Sequence, residues 1–182
     1  MKLDDLKGLE KESLDRGVPI IGSKKGKWLY DKVFEVQPVK VLELGTANGY
    51  SGSILGSTGA ELFTIEHDKI IAQEAQKNFE KYKIKAHIAV GEALEVLRKL
   101  VEEGKHQKSF DIVFIDFAKK EYLPALEYCI SLCKVGGYII ADNITFSGCQ
   151  DYRQRVQAHP QLKTDIILIQ DGLACSQKLS SW

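Results

Sequence analysis

Short apolar runs that alternate with stretches of helical periodicity constrain this chain more than any other feature. The runs fall at 40–44, 62–66, 86–90, 111–116 and 138–142, and helical spacing fills 70–81, 93–103 and 122–133, with a further helix opening at Ser51. Runs this short, rich in β-branched and aromatic residues, predict strands buried on both faces of a sheet. Their regular alternation with helices predicts an α/β fold, a doubly wound and mostly parallel sheet with helices on both sides. Upstream, a charged helical start is broken at Gly17-Val18-Pro19-Ile20-Ile21-Gly22 and followed by a helix over 24–36. Beyond Gly148 the pattern changes to a polar helix at 151–158 and two strands at 164–169 and 173–179, joined by Gln170-Asp171-Gly172. An Asp-Gly pair between apolar runs signals a hairpin, so the sheet is expected to close with an antiparallel pair.

At 182 residues the chain suits one well-cored domain, 1–182. Lys plus Arg and Asp plus Glu balance at 25 each, which excludes a global field towards nucleic acid or membrane. Lys24, Lys25 and Lys27 form a local basic cluster, either a solvated helix face or a phosphate contact. Cys129, Cys133, Cys149 and Cys175 lack paired metal-ligand spacing, and core packing as free thiols is favoured over zinc or disulfides. The charged start Met1-Lys2-Leu3-Asp4-Asp5-Leu6 has no apolar targeting segment, and no run reaches the roughly 18 apolar residues of a membrane helix. A cytoplasmic protein is expected.

Two strands end on acids, Val113-Phe114-Ile115-Asp116 and Tyr138-Ile139-Ile140-Ala141-Asp142-Asn143. In parallel sheets ligands gather outside the strands' carboxyl ends, so two carboxylates and an amide would meet at one rim. Oxygen ligands of this kind suit a hard cation such as Mg²⁺, although strand-end acids also cap turns and helices. Earlier in the chain, Val41-Leu42-Glu43-Leu44-Gly45-Thr46-Ala47-Asn48-Gly49-Tyr50-Ser51 reads as strand, glycine loop and helix start. The spacing is G-x-x-x-G rather than the G-x-G-x-x-G that admits a pyrophosphate. Glu66 ends the next strand about twenty residues on, where an acid accepts hydrogen bonds from ribose hydroxyls. Gly91-Glu92-Ala93, ending the third strand, either lines the base of such a ligand or simply turns into a helix.

These motifs, together with Asp116-Phe117-Ala118-Lys119-Lys120-Glu121-Tyr122-Leu123-Pro124, Gly22-Ser23-Lys24-Lys25-Gly26 and Asp171-Gly172-Leu173, resemble the metal-dependent class I O-methyltransferases of the catechol O-methyltransferase type. The resemblance spans nearly the whole chain and implies a Rossmann-like methyltransferase fold with S-adenosylmethionine as cofactor. It implies donor contacts from Gly45, Ala47, Gly49, Tyr50 and Ser51, with Glu43 near the methionine end. Glu66 would hold the ribose, with His67, Gly91, Glu92, Ala93 and Asp116 lining the rest of the cofactor site. Asp116, Asp142 and Asn143 match the family's divalent-metal ligands, and Lys119 matches its general base. A lysine must lose its proton to act as a base, which a nearby cation and partial burial promote.

The implied reaction is methyl transfer to a hydroxyl of a small ortho-dihydroxy aromatic, with a homodimer as the expected assembly. Some features depart from the family: little chain precedes Gly17, the segment 147–165 is short, and Ala118 stands where the mammalian catechol enzyme carries a large aromatic. Asp165 lies near a substrate-orienting acid of the catechol enzymes, but reads better as a surface aspartate opening a strand. A tRNA 5-hydroxyuridine methyltransferase is the alternative within the fold, resting on the lysine cluster. A nicotinamide-dependent oxidoreductase lacks its glycine fingerprint here, and a non-catalytic binding module would have no need for Asp116, Lys119, Asp142 and Asn143 together.

Overall fold

The structure, a computed structural model, describes residues 1–104 and 106–180. The chain divides into two compact units, Met1–Glu92 and Ala93–Trp182. In the first, a short 3-10 turn leads into α1 (Lys7–Asp15) and α2 (Gly22–Val36), followed by β1 (Lys40–Leu44), α3 (Tyr50–Leu55), β2 (Glu61–Glu66), α4 (Lys69–Tyr82) and β3 (Ala86–Val90). Its strands lie in the order β3-β2-β1, all parallel, with Leu42 opposite Phe63 and Ile65 opposite Ala89. All of β1 after Lys40 is buried, as a strand covered on both faces must be.

The second unit holds α5 (Ala93–Glu103), β4 (Phe110–Ile115), α6 (Tyr122–Leu132), β5 (Cys133–Asp142), α7 (Gln150–Ala158), β6 (Leu162–Ile167) and β7 (Leu173–Lys178). Here β4 and β5 run parallel, while β7 pairs antiparallel with both β5 and β6. The α/β fold with mostly parallel strands and a closing antiparallel pair is therefore as the alternation predicts.

The largest boundary differences from expectation lie at the start of β5 and in the closing hairpin, where β6 spans Leu162–Ile167 rather than 164–169. The helical pattern was expected to run through Cys133 and the strand to begin at Tyr138, whereas the helix stops at Leu132 and β5 starts at Cys133. Cys133 pairs across to Phe110, and the register shifts between Phe110 and Ile112, so an irregular first half of the strand precedes the apolar run. Gly137 permits this: a Cβ there would stand 2.8 Å from the Asp111 carbonyl oxygen. The hairpin connection also runs longer than the Asp-Gly signal suggested, since Ile167 is the last residue paired, to Leu173.

Helix α4 opens on Asp68, whose carboxylate accepts from the Ile70 and Ile71 amides. Those amides hold its carboxyl below the usual range. Helix α3 packs closely on α4. A Cβ at Gly52 would lie 2.7 Å from Cζ of Phe79 and 2.8 Å from Oε2 of Glu43, so glycine is needed for the approach. The four cysteines are buried free thiols, and burial pushes Cys133 up to about 12. Neutral thiols of this kind are core residues rather than metal ligands.

Candidate functional site

Beyond β1 the chain turns through Gly45, Thr46, Ala47, Asn48 and Gly49 with three left-handed residues, at φ 95° for Gly45, 45° for Ala47 and 88° for Gly49. Gly45 and Gly49 adopt this region without strain, and a Cβ on Gly49 would also meet Cε1 of Phe79 at 2.9 Å. Ala47 carries a side chain there and is held by its amide, which donates to Oε2 of Glu66 at 3.0 Å. Gly45 and Thr46 donate to the Ile65 carbonyl at 3.0 and 3.2 Å, so the loop is stitched to the end of β2.

Glu66 is 6 % exposed. Its other oxygen accepts from the Asp68 amide at 3.1 Å and faces Nδ1 of the exposed His67 at 3.0 Å. A carboxylate offers about four acceptor positions, so these three contacts leave room for a ligand hydroxyl. Gly91 joins the same edge, its amide donating to the Glu66 carbonyl at 2.9 Å. Glu92 follows as an exposed side chain, and Ala93 belongs to the second unit as the first residue of α5.

Glu43, Tyr50 and Ser51 lie deeper. Glu43 has 0 % exposure and accepts from Ser51 Oγ at 2.6 Å and Thr64 Oγ1 at 2.7 Å. Thr64 in turn meets Thr46 Oγ1 at 2.6 Å, so the carboxylate ties β1, β2, the loop and the first turn of α3 together. Tyr50 is 2 % exposed, with its hydroxyl 3.3 Å from where a Gly26 Cβ would stand and hydrogen-bonded to Glu10. Burial, reinforced by Glu10, pushes that phenol above its ordinary range.

In the second unit, β4 delivers Asp116 and β5 delivers Asp142 and Asn143. Asp116 and Lys119 are partly exposed, with side chains at 22 % and 26 %, and Lys119 Nζ donates to Asp116 Oδ1 at 2.7 Å and to the Tyr122 hydroxyl at 2.9 Å. Tyr122 is fully buried, stacked on Phe117 and met edge-on by Tyr152. Its phenol is pushed far above the ordinary range by burial first, then by the charges of Asp116 and Asp142. Both carboxylates thus act on one hydroxyl, and they share a neighbourhood with Lys119.

Asp142 is 1 % exposed and accepts the Asn143 amide at 2.6 Å. Asn143 sits at φ 55°, a conformation asparagine tolerates better than most residues. Its side-chain NH₂ donates to Oδ2 of Asp171 at 2.5 Å. This fixes the amide's polarity: nitrogen towards Asp171, oxygen left for a ligand. The connection 168–172 is pinned in turn by Thr145, whose amide and hydroxyl both donate to the Asp171 carbonyl, at 3.1 and 2.9 Å. The sequence marks Asp171 as a turn residue and as part of the Asp171-Gly172-Leu173 motif, but its contact to Asn143 spans 28 positions and is not local.

Two carboxylates, one deeply buried, and an oriented amide oxygen form an oxygen-only set that fits a hard divalent cation. No cluster of three or more His, Cys, Asp and Glu placed to hold a metal occurs among the described residues, so the fit rests on the asparagine as third ligand. Of the lysine cluster, Lys24 and Lys27 are exposed and Lys25 is buried. Lys25 is 3 % exposed and Lys27 pairs with Asp31 at 2.5 Å, leaving Lys24 as the exposed member without such an ion pair. Asp165 is exposed on β6, as a surface strand residue would be. No helix among the described residues is long and apolar enough to cross a membrane.

Residues 6–179 match a protein family described as O-methyltransferase. A catechol O-methyltransferase from Niastella koreensis is 32% identical over 161 residues, which cover 80% of this chain and 72% of that protein. A catechol O-methyltransferase from Bos taurus is 31% identical over 152 residues, covering 79% of this chain and 55% of the relative. The chain spans little more than half the length of the bovine relative and of several others. Among solved structures, the O-methyltransferase from Bacillus cereus in complex with SAH shares the fold at TM-score 0.83 and 22% identity, over 97% of this chain and 90% of that one.

Proposed function

The chain belongs to the O-methyltransferase family, and from that premise we propose that it moves a methyl group from S-adenosylmethionine to one hydroxyl of a small ortho-dihydroxy aromatic. The observation that carries the acceptor half is Lys119 Nζ held between Asp116 Oδ1 and the Tyr122 hydroxyl at 2.7 and 2.9 Å, in the unit that also carries Asp142 and an Asn143 amide turned by Asp171. The donor half is supported by the glycine loop stitched to Glu66.

In this reading the first unit binds and orients the donor. Glu66 accepts from the ribose hydroxyls, the Gly45–Gly49 turn lets the ligand approach the backbone, and His67 and Gly91 border the nucleoside. Glu43 and Ser51 fix the floor of the methionine end. In the second unit Asp116, Asp142 and Asn143 would hold a divalent cation, which when bound supplies a Lewis acid for the acceptor's oxygens. Lys119 Nζ accepts the proton of the hydroxyl to be methylated. As that O–H bond breaks, the oxygen's electron pair forms the new O–C bond and the C–S bond of the sulfonium breaks. Asp116 and Tyr122 keep Nζ in place for this transfer, since a base must sit within hydrogen-bond reach of its proton. Metal dependence, the aromatic acceptor and these roles are all part of the proposal. The relatives' name, catechol O-methyltransferase, supports the acceptor class.

The decisive experiment incubates the full chain with S-adenosylmethionine and a catechol, with Mg²⁺ or with chelator, and follows the methylated product by mass spectrometry. Mg²⁺-dependent turnover is expected. Undiminished turnover in chelator would remove the metal from the mechanism, and turnover of hydroxylated tRNA in place of catechol would reassign the acceptor.

A further inference from the structure

The glycine loop is held from three directions, and one of them is unexpected. Ala47 is tied to Glu66, and the Asn48 carbonyl accepts from Asn78 Nδ2 at 2.9 Å. The third tie runs out of the Rossmann-like core: Asn48 Nδ2 donates to Ser13 Oγ, in helix α1, at 2.7 Å across 35 positions of sequence. Both side chains are buried, Ser13 at 0 % and Asn48 at 1 % exposure. Ser13's own hydroxyl proton goes to the Leu9 carbonyl at 2.6 Å, so an oxygen lone pair is left facing the loop.

We propose that α1 is a latch on the donor-binding loop, with Ser13 and Asn48 as positioning residues for S-adenosylmethionine. The proposal rests on the donor-site reading given above and concerns how that site is kept in shape. Left-handed backbone on a residue that carries a side chain, as at Ala47, persists only where the surroundings over-determine it. Asn48 is the next residue, so its anchorage acts directly on that turn. Ser13 supplies a fixed acceptor because helix α1 is itself docked. Leu9 is buried, Arg16 forms a two-pronged ion pair with Glu74 of α4 at 2.7 and 2.9 Å, and Glu10 reaches the hydroxyl of Tyr50 at the start of α3.

A helix of nine residues has little stability of its own in water, so α1 is ordered by these contacts. Docking of α1 and the binding-ready form of the loop therefore support each other. A ligand that favours the ordered loop must, by linkage, favour docked α1 to the same degree.

Amide hydrogen exchange of the full chain, with and without S-adenosylhomocysteine, tests this. Slowed exchange in 7–15 together with 45–49 is expected on binding. In S13A, which leaves Asn48 Nδ2 buried without its acceptor, the dissociation constant by calorimetry should rise roughly tenfold, and 7–15 should exchange faster in the free protein. Protection confined to 45–49, or wild-type affinity in S13A, overturns the latch while leaving the donor site standing. Absence of binding to the wild-type chain removes the donor-site reading and the latch with it. Should S13A fail to fold, the wild-type exchange pattern decides.

Discussion

The donor half and the acidic half of this molecule solve opposite problems. Around the glycine loop, most polar groups are tied to neighbouring elements, although Oδ1 of Asn48 is buried without a partner. Glu43 accepts from Ser51 and Thr64 at 0 % exposure, Glu66 holds two backbone amides, and Asn48 is anchored through both its side chain and its carbonyl. Around Asp116 the charges are partly open, and a lysine shares the carboxylate that the proposed cation would need. The first region is held mostly by hydrogen bonds within the chain. In the second, the proposed cation and phenol would complete the charge balance. Preorganised hydrogen bonds suit binding of a large ligand, whereas a partly exposed acid with an ammonium held beside it suits a step in which a proton changes hands.

That contrast can be broken most sharply at Asp116. D116A is expected to lower methyl transfer by about a thousandfold or more, the scale of losing a Lewis-acid site worth several kcal/mol, with calorimetric binding of S-adenosylhomocysteine weakened far less. Equal loss of donor binding would mean that the two halves are not separable in the way described. K119M should come next, lowering kcat by roughly 10²- to 10⁴-fold, the range general bases contribute, with little change in melting temperature. A kcat within a factor of two of wild type would move the base elsewhere.

D171A tests the orientation of Asn143 and should weaken Mg²⁺ about 10- to 100-fold, as loss of an outer-shell partner does, measured as the cation concentration giving half-maximal rate. An unchanged cation requirement would leave Asn143 without the role given to it. The smallest effect is expected at the exposed pair of Lys27 and Asp31. K27A should change stability by about 0.5 kcal/mol or less in a urea titration and leave turnover alone. A large loss of turnover on a tRNA substrate only would support the phosphate-contact reading of that cluster.

Much of the scaffold was legible because its signals are local. The strands at Lys40–Leu44 and Ala86–Val90 fall where the apolar runs place them, and the acids at 116 and 142 follow directly from where those runs stop. Glu66 was equally readable as a strand-end acid one loop away from the glycines. What escaped depended on contacts distant in sequence. Cys133 continues the spacing of α6 yet belongs to β5, because its partner Phe110 lies on another strand. Asp171 looked like turn chemistry until Asn143 was seen against it, and Ser13 is an ordinary helical serine until it meets Asn48. The inward packing of Tyr50 against Glu10 and Gly26, two neighbours outside its own segment, is of the same kind. Lys25 is concealed for a similar reason, since helical periodicity does not reveal which face the rest of the unit will cover.

The bare alpha carbon at Gly52 sets a boundary on how this chain can change over evolutionary time. Any heavier residue there would press on both Phe79 and the carboxylate of Glu43, so a drifting lineage meets a closed door at this position. The exposed ring of His67, by contrast, lies on open ground. Change is thereby channelled outward, to the rim, while the packing beneath the glycine loop tolerates little.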